Sequence, residues 1–251
     1  MIRILMSGCN GRMGQVITRL ASQSNDFKIA AGYDLNDSIK NNYPVFKNLD
    51  ECNVKVDVII DFSNSDAFDS VLKFSTSRAI PLVMATTGLS PVQQNLLEAA
   101  SKQIPIFSSA NMSLGVSLLI DLVKKAARIL ESSFDIEIIE KHHNQKLDAP
   151  SGTALSIADE ISSVLEQKYE YIYDRHSRRK KRSKSEIGIH AVRGGTIVGE
   201  HSVIFAGSDE IIEINHSAMS KDIFGTGALR AAAFICSKAP GIYSMSDLVS
   251  I

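Results

Sequence analysis

The feature that most constrains this chain is a glycine-rich turn between an apolar run and a helix-like stretch at its start. Ile2–Ser7 is apolar and β-branched, and Arg12–Ser22 sets Met13, Val16, Ile17 and Leu20 at helical spacing. Between them runs Gly8-Cys9-Asn10-Gly11-Arg12-Met13-Gly14. Glycines there permit a tight turn, close approach of the backbone to a pyrophosphate, and close packing of helix on strand. The helix N-terminus then stabilises the phosphate charge. The spacing is G-x-x-G-x-x-G, not the commoner G-x-G-x-x-G, so context decides. Asp34 closes the second strand-like run twenty residues after Gly14, where a carboxylate would hold an adenosine ribose. It suits a free 2′-hydroxyl and would repel a 2′-phosphate; Leu35 beside it brings no cation, and Arg12 is the one partial offset. NADH is therefore the expected better fit, with NADPH also admitted.

The run 28–34 is followed by strand-like runs at 56–62, 80–86 and 104–108, with helix-like stretches at 66–76 and Pro91–Ser101, the latter opening on a Ser90 cap and a proline. Near-continuous apolar strands alternating with helices predict βαβ units around a parallel sheet buried on both faces. After about residue 111 the pattern changes. A long helix, Leu114–Leu130, leads to 134–140, where apolar and acidic residues alternate as in a half-buried strand. A helix opening at Pro150 and Ser151 runs to 166, then strands follow at 187–193, 196–205 and 210–216, the last two joined by a Gly207-Ser208-Asp209 turn. The closing stretch 226–237 is helical. The fold class expected is α/β: a Rossmann-like parallel-sheet nucleotide domain with a second α+β domain built on an antiparallel sheet.

With 44% hydrophobic and 22% charged residues, the composition excludes wholesale disorder, and a net charge of −1 argues against a chain devoted to nucleic acid or membrane surfaces. No apolar run approaches the roughly 18 residues of a membrane span, and MIRILMSG lacks the succession of a signal peptide. Cys9, Cys52 and Cys236 are too scattered for a disulfide framework or zinc site. A reducing, cytoplasmic setting is expected. One segment stands apart: residues 175–184 (RHSRRKKRSK) pack seven Lys/Arg into ten. This reads as a solvated loop or as a mobile basic flap drawing in an anionic small substrate; a nucleic-acid patch lacks an aromatic platform.

The densest polar stretch is 140–153 (EKHHNQKLDAPSGT). His142, His143 and Lys146 ahead of a Ser-Gly-Thr helix start can serve proton transfer and anion binding: a lysine near other cations can donate a proton near neutral pH, and the amides of Gly152 and Thr153 can hold a carboxylate. Adjacent histidines cannot easily ligate one ion together, so no metal is expected.

From end to end these residues resemble the 4-hydroxy-tetrahydrodipicolinate reductase family, also called dihydrodipicolinate reductase. GCNGRMG resembles its nucleotide loop, Ala85-Thr86-Thr87-Gly88 its GTTG loop, and Ala110-Asn111-Met112-Ser113 its ANFS segment. HHNQK followed by DAPSGTA is similar to its most specific signature, and Gly199-Glu200-His201 and Phe224-Gly225-Thr226-Gly227-Ala228 also fit. Lys221 stands where an arginine is common. The resemblance implies that a cyclic dicarboxylate, made from pyruvate and aspartate semialdehyde, loses water and receives a hydride from a nicotinamide at C4, giving tetrahydrodipicolinate for diaminopimelate and lysine. It implies His142 as proton donor and acceptor, Lys146 as proton donor, and His143, Gly152 and Thr153 on the substrate carboxylates. Gly8, Cys9, Asn10, Gly11, Arg12, Met13, Asp34, Ala85, Thr86, Thr87, Ser109, Ala110, Asn111 and Met112 would line the cofactor, with Phe62 near the adenosine. It implies too a homotetramer built through the antiparallel sheet, and a last helix returning to the nucleotide domain. The expected division is 1–112 plus 221–251 for the cofactor, and 113–220 for substrate and oligomerisation.

Two rivals remain at this stage. A semialdehyde or aspartate dehydrogenase shares the two-domain plan, but the former needs a nucleophilic cysteine, and none of the three is well placed. A nucleotide-sensing or nucleic-acid-binding protein would use residues 175–184 and have no need of His142 or Lys146.

Overall fold

In the computed structural model, which describes residues 1–36 and 38–249, the alternating apolar runs become strands and the helix-period stretches cover them. The chain divides into two compact units, Met1–Leu114 with Asp222–Ile251, and Gly115–Lys221. Ser250 and Ile251, which the expected first domain includes, lie outside the described residues.

The first unit runs β1 (Ile2–Ser7), α1 (Arg12–Ser22), β2 (Phe27–Tyr33), β3 (Val45–Phe46), β4 (Val58–Asp61), α2 (Phe68–Ser77), β5 (Leu82–Met84), α3 (Pro91–Ser101) and β6 (Pro105–Ser108). The second holds α4 (Leu114–Leu130), which starts at the boundary, β7 (Asp135–His142), α5 (Gly152–Ser162), β8 (Glu170–Ile172), β9 (Glu186–Arg193), β10 (Gly199–Ala206) and β11 (Ile211–Ala218). The chain then re-enters the first unit as α6 (Asp222–Ile235), β12 (Gly241–Tyr243) and α7 (Met245–Val249).

The first unit's sheet is parallel, ordered β12-β6-β5-β4-β1-β2-β3. The connection reverses direction between β1 and β4, and in open α/β sheets that switch point is where ligands bind, outside the carboxyl ends of the strands. The central strands are buried on both faces: Ile4, Leu5, Met6, Val58, Ile59 and Ile60 are all fully enclosed. Helices α1 and α6 cover one face through Ile17, Ala21, Ala228, Ala231 and Ala232. α6 comes close because it is small where it touches: a Cβ on Gly225 would lie 2.9 Å from Leu20 Cδ1, and one on Gly227 1.7 Å from the Met112 carbonyl oxygen.

The second unit's sheet is ordered β11-β10-β7-β9-β8. The expected antiparallel pairing holds for β7, β10 and β11, with β10 and β11 forming the predicted hairpin. β9 pairs β7 in parallel and β8 pairs β9 in parallel, so the sheet is mixed. The reason is the crossover through α5, which carries the chain back to the starting edge before β9 begins. α4 and α5 bury one face through Leu119, Val123, Ile157 and Ile161 against Ile136, Ile138, Val203 and Phe205.

The basic segment is a largely exposed loop, as one of the two expectations had it, but two of its arginines are anchored to the sheet. Arg175 donates to Glu137 (2.6 Å) and Glu186 (2.9 Å), and Arg182 to Glu137 (3.0 Å) and Asp135 (3.0 Å). Arg178 reaches Glu170 at 2.8 Å. Burial pushes the Glu137 carboxyl up, but hydrogen bonds from His190 and Arg182 and the Arg175 charge hold it below the ordinary range. The run of cations is thus largely the counter-charge to carboxylates on β7–β9, of which Asp135 and Glu137 lie 38 to 47 residues away in sequence.

Candidate functional site

The first cluster lies at the carboxyl ends of β1, β4, β5 and β6. Gly8 has φ +76°, and a Cβ there would sit 2.6 Å from the Phe62 carbonyl oxygen; no L side chain fits both conditions. A Cβ on Gly14 would lie 2.2 Å from the Gly8 carbonyl, which sets α1 directly on the turn. Gly11 caps α1 without a side-chain hydrogen bond, and no acidic residue occupies its first turn. The helix therefore opens with unsatisfied N–H groups and its positive dipole end uncompensated. Arg12 is exposed there and Met13 half-buried.

Asp34 lies against this turn. It accepts from the Asn10 amide (2.8 Å) and the Asn36 amide (2.9 Å), and with Gly8, Leu35, Ser63 and Asn64 lines a cavity of about 170 Å³. Phe62 joins Gly8, Asn10, Gly11 and Asp34 around an adjoining space of about 260 Å³. The Asn10 side chain ties the turn to the loop after Asp34, donating to the Asn36 carbonyl and accepting from Asn41 (2.7 Å). Cys9 is fully buried and its thiol is pushed up to about 12, first by burial and then by the Asp34 charge. What it presents to the turn is backbone, its carbonyl accepting from Gln15 Nε2 at 2.9 Å.

Ala85 and Thr86 are buried after β5, Thr87 is exposed. Thr86 Oγ1 donates to Asp61 (2.6 Å), as does Ser63 Oγ (2.6 Å), and burial raises the Asp61 carboxyl. Asp61 was not among the expected residues, though its place at the end of the run VDVIIDF marks it as a polar group entering the core. After β6, Ser109 Oγ donates to the Asn111 carbonyl (3.0 Å), Asn111 Oδ1 accepts the Ser113 amide (2.9 Å), Ala110 is exposed and Met112 is packed into the core. A turn no side chain could enter, an open helix start and a carboxylate facing the same cavity fit a dinucleotide.

The second cluster belongs to the second unit. Along β7 the residues Ile136, Ile138, Glu140 and His142 are buried in alternation, so the core face passes from apolar to ionisable at its end. Glu140 is fully enclosed; Arg193 grips it through two bonds (2.7 and 2.8 Å), the Ser151 amide donates to it (2.9 Å), and His142 Nδ1 lies 2.6 Å away. Burial pushes this carboxyl up, and the bonds from Arg193, His142 and Ser151 together hold it below the ordinary range. His201 meets the His142 ring edge-on, centroids 5.3 Å apart, and bonds Ser151 Oγ at 3.2 Å. Burial lowers it to about 4 and so keeps it neutral.

His143 follows β7 half-buried, and its carbonyl accepts the Lys146 amide at 3.1 Å in a turn that brings the lysine back. Lys146 Nζ lies 2.8 Å from Asp148 Oδ1. The carboxyl of Asp148 is held low by Lys146 first and, further, by the Gly152 amide. Ser151 caps α5 by accepting the Ala154 amide (3.2 Å), leaving Gly152 exposed, with open space where a Cβ would be, and Thr153 half-buried. Glu140, Arg193, Ser151 and His201 were all missed as site residues. The alternation that buries Glu140 beside His142 was the available signal.

A parallel sheet with a glycine turn closed to side chains and a carboxylate at the same cavity, carried in one chain with a unit holding a buried histidine, a lysine and an open helix start, is the arrangement of a dinucleotide-dependent oxidoreductase. Comparison with known proteins makes the class specific. The family description "Dihydrodipicolinate reductase, N-terminus" matches residues 2–112 and "Dihydrodipicolinate reductase, C-terminus" matches 115–249. The chain is 55% identical over 249 residues to the 4-hydroxy-tetrahydrodipicolinate reductase of Caldanaerobacter subterraneus subsp. tengcongensis, covering 99% of this chain and 98% of that one. It is 49% identical over 250 residues to that of Clostridium tetani, covering 100% and 98%. The fold is also that of a dipicolinate-bound dihydrodipicolinate reductase from Paenisporosarcina sp. TG-14, with TM-score 0.85 at 24% identity over 99% of this chain and 100% of that one. The chain belongs to the dihydrodipicolinate reductase family.

Proposed function

We propose that this protein reduces 4-hydroxy-tetrahydrodipicolinate to tetrahydrodipicolinate, using NADH or NADPH, on the route to diaminopimelate and lysine. The observation that carries this is the family match across both halves of the chain, 2–112 and 115–249. In this reading the first unit holds the cofactor, and the second binds substrate and mediates assembly. Gly8, Cys9, Asn10, Gly11, Arg12 and Met13 hold the pyrophosphate by backbone and helix dipole, Asp34 the ribose, Phe62 the adenosine side, and Ala85, Thr86, Thr87, Ser109, Ala110, Asn111 and Met112 the remaining wall. The bound reduced nicotinamide supplies the hydride.

The chain's own residues supply the protons and the anion contacts. Lys146 is a cationic acid, 22% exposed, able to donate as charge develops on the substrate; His142 donates and accepts. His143 and the amides of Gly152 and Thr153 take the substrate carboxylates. That Asp148 already rests between Lys146 and Gly152 supports this, since it is itself a carboxylate. Asp34 facing its cavity supports a preference for NADH. The same reading takes the protein as a cytoplasmic homotetramer assembled through the sheet of the second unit, testable by sedimentation; among the described residues no helix is long and apolar enough to cross a membrane.

The decisive experiment follows oxidation of NADH and NADPH with substrate generated in place from pyruvate and aspartate semialdehyde by a synthase. Oxidation that stops when the synthase is left out is expected. Folded protein that binds NADH but oxidises neither cofactor would refute the substrate assignment.

A further inference from the structure

The carboxylate behind His142 has a use that the reaction itself does not require of it. We propose that Glu140 is a positioning residue that decides which nitrogen of His142 exchanges the proton: Nδ1 keeps its hydrogen against Glu140, and Nε2, beside the space left by Gly199, is the working atom. This rests on the proton role given to His142 above.

The geometry leaves little choice. Glu140 accepts two bonds from Arg193 (2.7 and 2.8 Å) and one from the Ser151 amide (2.9 Å). Arg193 is itself held in place by the Asp148 carbonyl (2.6 Å) and the Val192 carbonyl (2.8 Å). A carboxylate so surrounded by donors stays ionised and can only accept, so His142 Nδ1, 2.6 Å away, must be the donor. In the neutral ring the lone pair then falls on Nε2. That atom has no hydrogen bond among the described residues and is not one of the polar atoms sealed without a partner, unlike Nδ1 of His201 and of His216. Gly199 is the reason it has room: a Cβ there would stand 3.1 Å from Nε2.

The remaining titratable groups around the ring do not compete for its protons. His201, on β10, is kept neutral by burial, and burial likewise lowers His216 across the hairpin. Lys146 and Asp148 satisfy each other. In the proton step the Nε2–H bond of the cationic ring breaks, its electron pair stays on Nε2 as the lone pair, and the substrate acceptor takes the proton. Nδ1–H and the Glu140 carboxylate are unchanged throughout, and Glu140 never takes the proton itself.

The test joins spectroscopy to kinetics. Imidazole ¹⁵N shifts of the wild-type protein should show the neutral His142 ring protonated on Nδ1; a ring protonated on Nε2 overturns the proposal without any variant being made. Glu140→Gln should mix the tautomers and lower kcat on the order of 100-fold, with KM for substrate and NADH affinity within about 2-fold. Equal losses in all of these would mark Glu140 as structural and overturn the assignment, as would full turnover. Gly199→Ala should lower kcat while the tautomer stays as in the wild type, and it decides the matter together with the wild-type spectrum should Glu140→Gln fail to fold. The two levels fail differently. Turnover surviving His142→Ala sinks the proton role itself, whereas His142→Ala inactive with Glu140→Gln fully active sinks only the part given to Glu140.

Discussion

Arg193→Met isolates what the buried ion pair contributes, because methionine keeps most of the stem and removes only the charged fork. Two bonds to a fully enclosed carboxylate are lost, at 2.7 and 2.8 Å, and two more, to the Asp148 carbonyl at 2.6 Å and the Val192 carbonyl at 2.8 Å. Hydrogen bonds to charged groups are each worth about 1.5–3 kcal/mol, and breaking one side of a buried pair costs about 3–5 kcal/mol. Both routes give roughly 4 kcal/mol at neutral pH, which for a chain of this size lowers the melting temperature on the order of 10 °C. The pH dependence carries a sharper signature. In the wild type the folded Glu140 carboxyl lies below its ordinary 4.5, so its contribution is complete above that value and is lost as pH falls through the folded one. Without Arg193, burial is opposed only by His142 and the Ser151 amide, the folded value rises above the unfolded one, and the charged carboxyl becomes a cost that is relieved as pH falls. The gap between variant and wild type should therefore widen from pH 5 to pH 8 in thermal unfolding. A gap that is constant, or a melting temperature within about 2 °C of wild type, would refute the reasoning.

Three further outcomes follow from the two clusters. Asp34→Ala should move the ratio of kcat/KM for NADPH over NADH upward by about tenfold or more, since in the proposed reading it removes the charge that would meet a 2′-phosphate; an unaltered ratio would show that Asp34 does not set the preference. Lys146→Ala should cut turnover by about 10²–10⁴ while NADH still binds, as followed by nicotinamide fluorescence, and unchanged turnover ends its role as acid. Gly14→Ala places a carbon 2.2 Å from the Gly8 carbonyl oxygen, and overpacking of this kind costs about 1–3 kcal/mol. Both NADH affinity and unfolding temperature should drop, and wild-type values for the two would show that α1 can shift off the turn freely.

What could be read in advance, and what could not, divides along the distance between the residues involved. The turn from Gly8 to Gly14, α1, α3 and α4 were legible because spacing, caps and glycine positions are local: Ser90 and Gln93 form the reciprocal cap that Pro91 announces. The short edge strands β3, β8 and β12, of two or three residues each, carry too few side chains for any period to show. The Glu140 cluster was hidden for another reason. Arg193 is 53 residues from Glu140, and they meet only because β9 lies parallel to β7 in the register that sets Arg193 opposite His142. On the other flank β10 sets His201 opposite Glu140. That register cannot be seen in either strand alone, since it depends on α5 returning the chain to the same edge. The same crossover explains the basic segment, which looks like a ligand-drawing surface until β7 and β9 are paired and Glu137 and Glu186 turn out to need its arginines. Charges in sequence thus stated what the unit must neutralise, while the topology stated where, and in this unit the parallel β7–β9 pair brings both the Glu140 cluster and the arginine clasp into being.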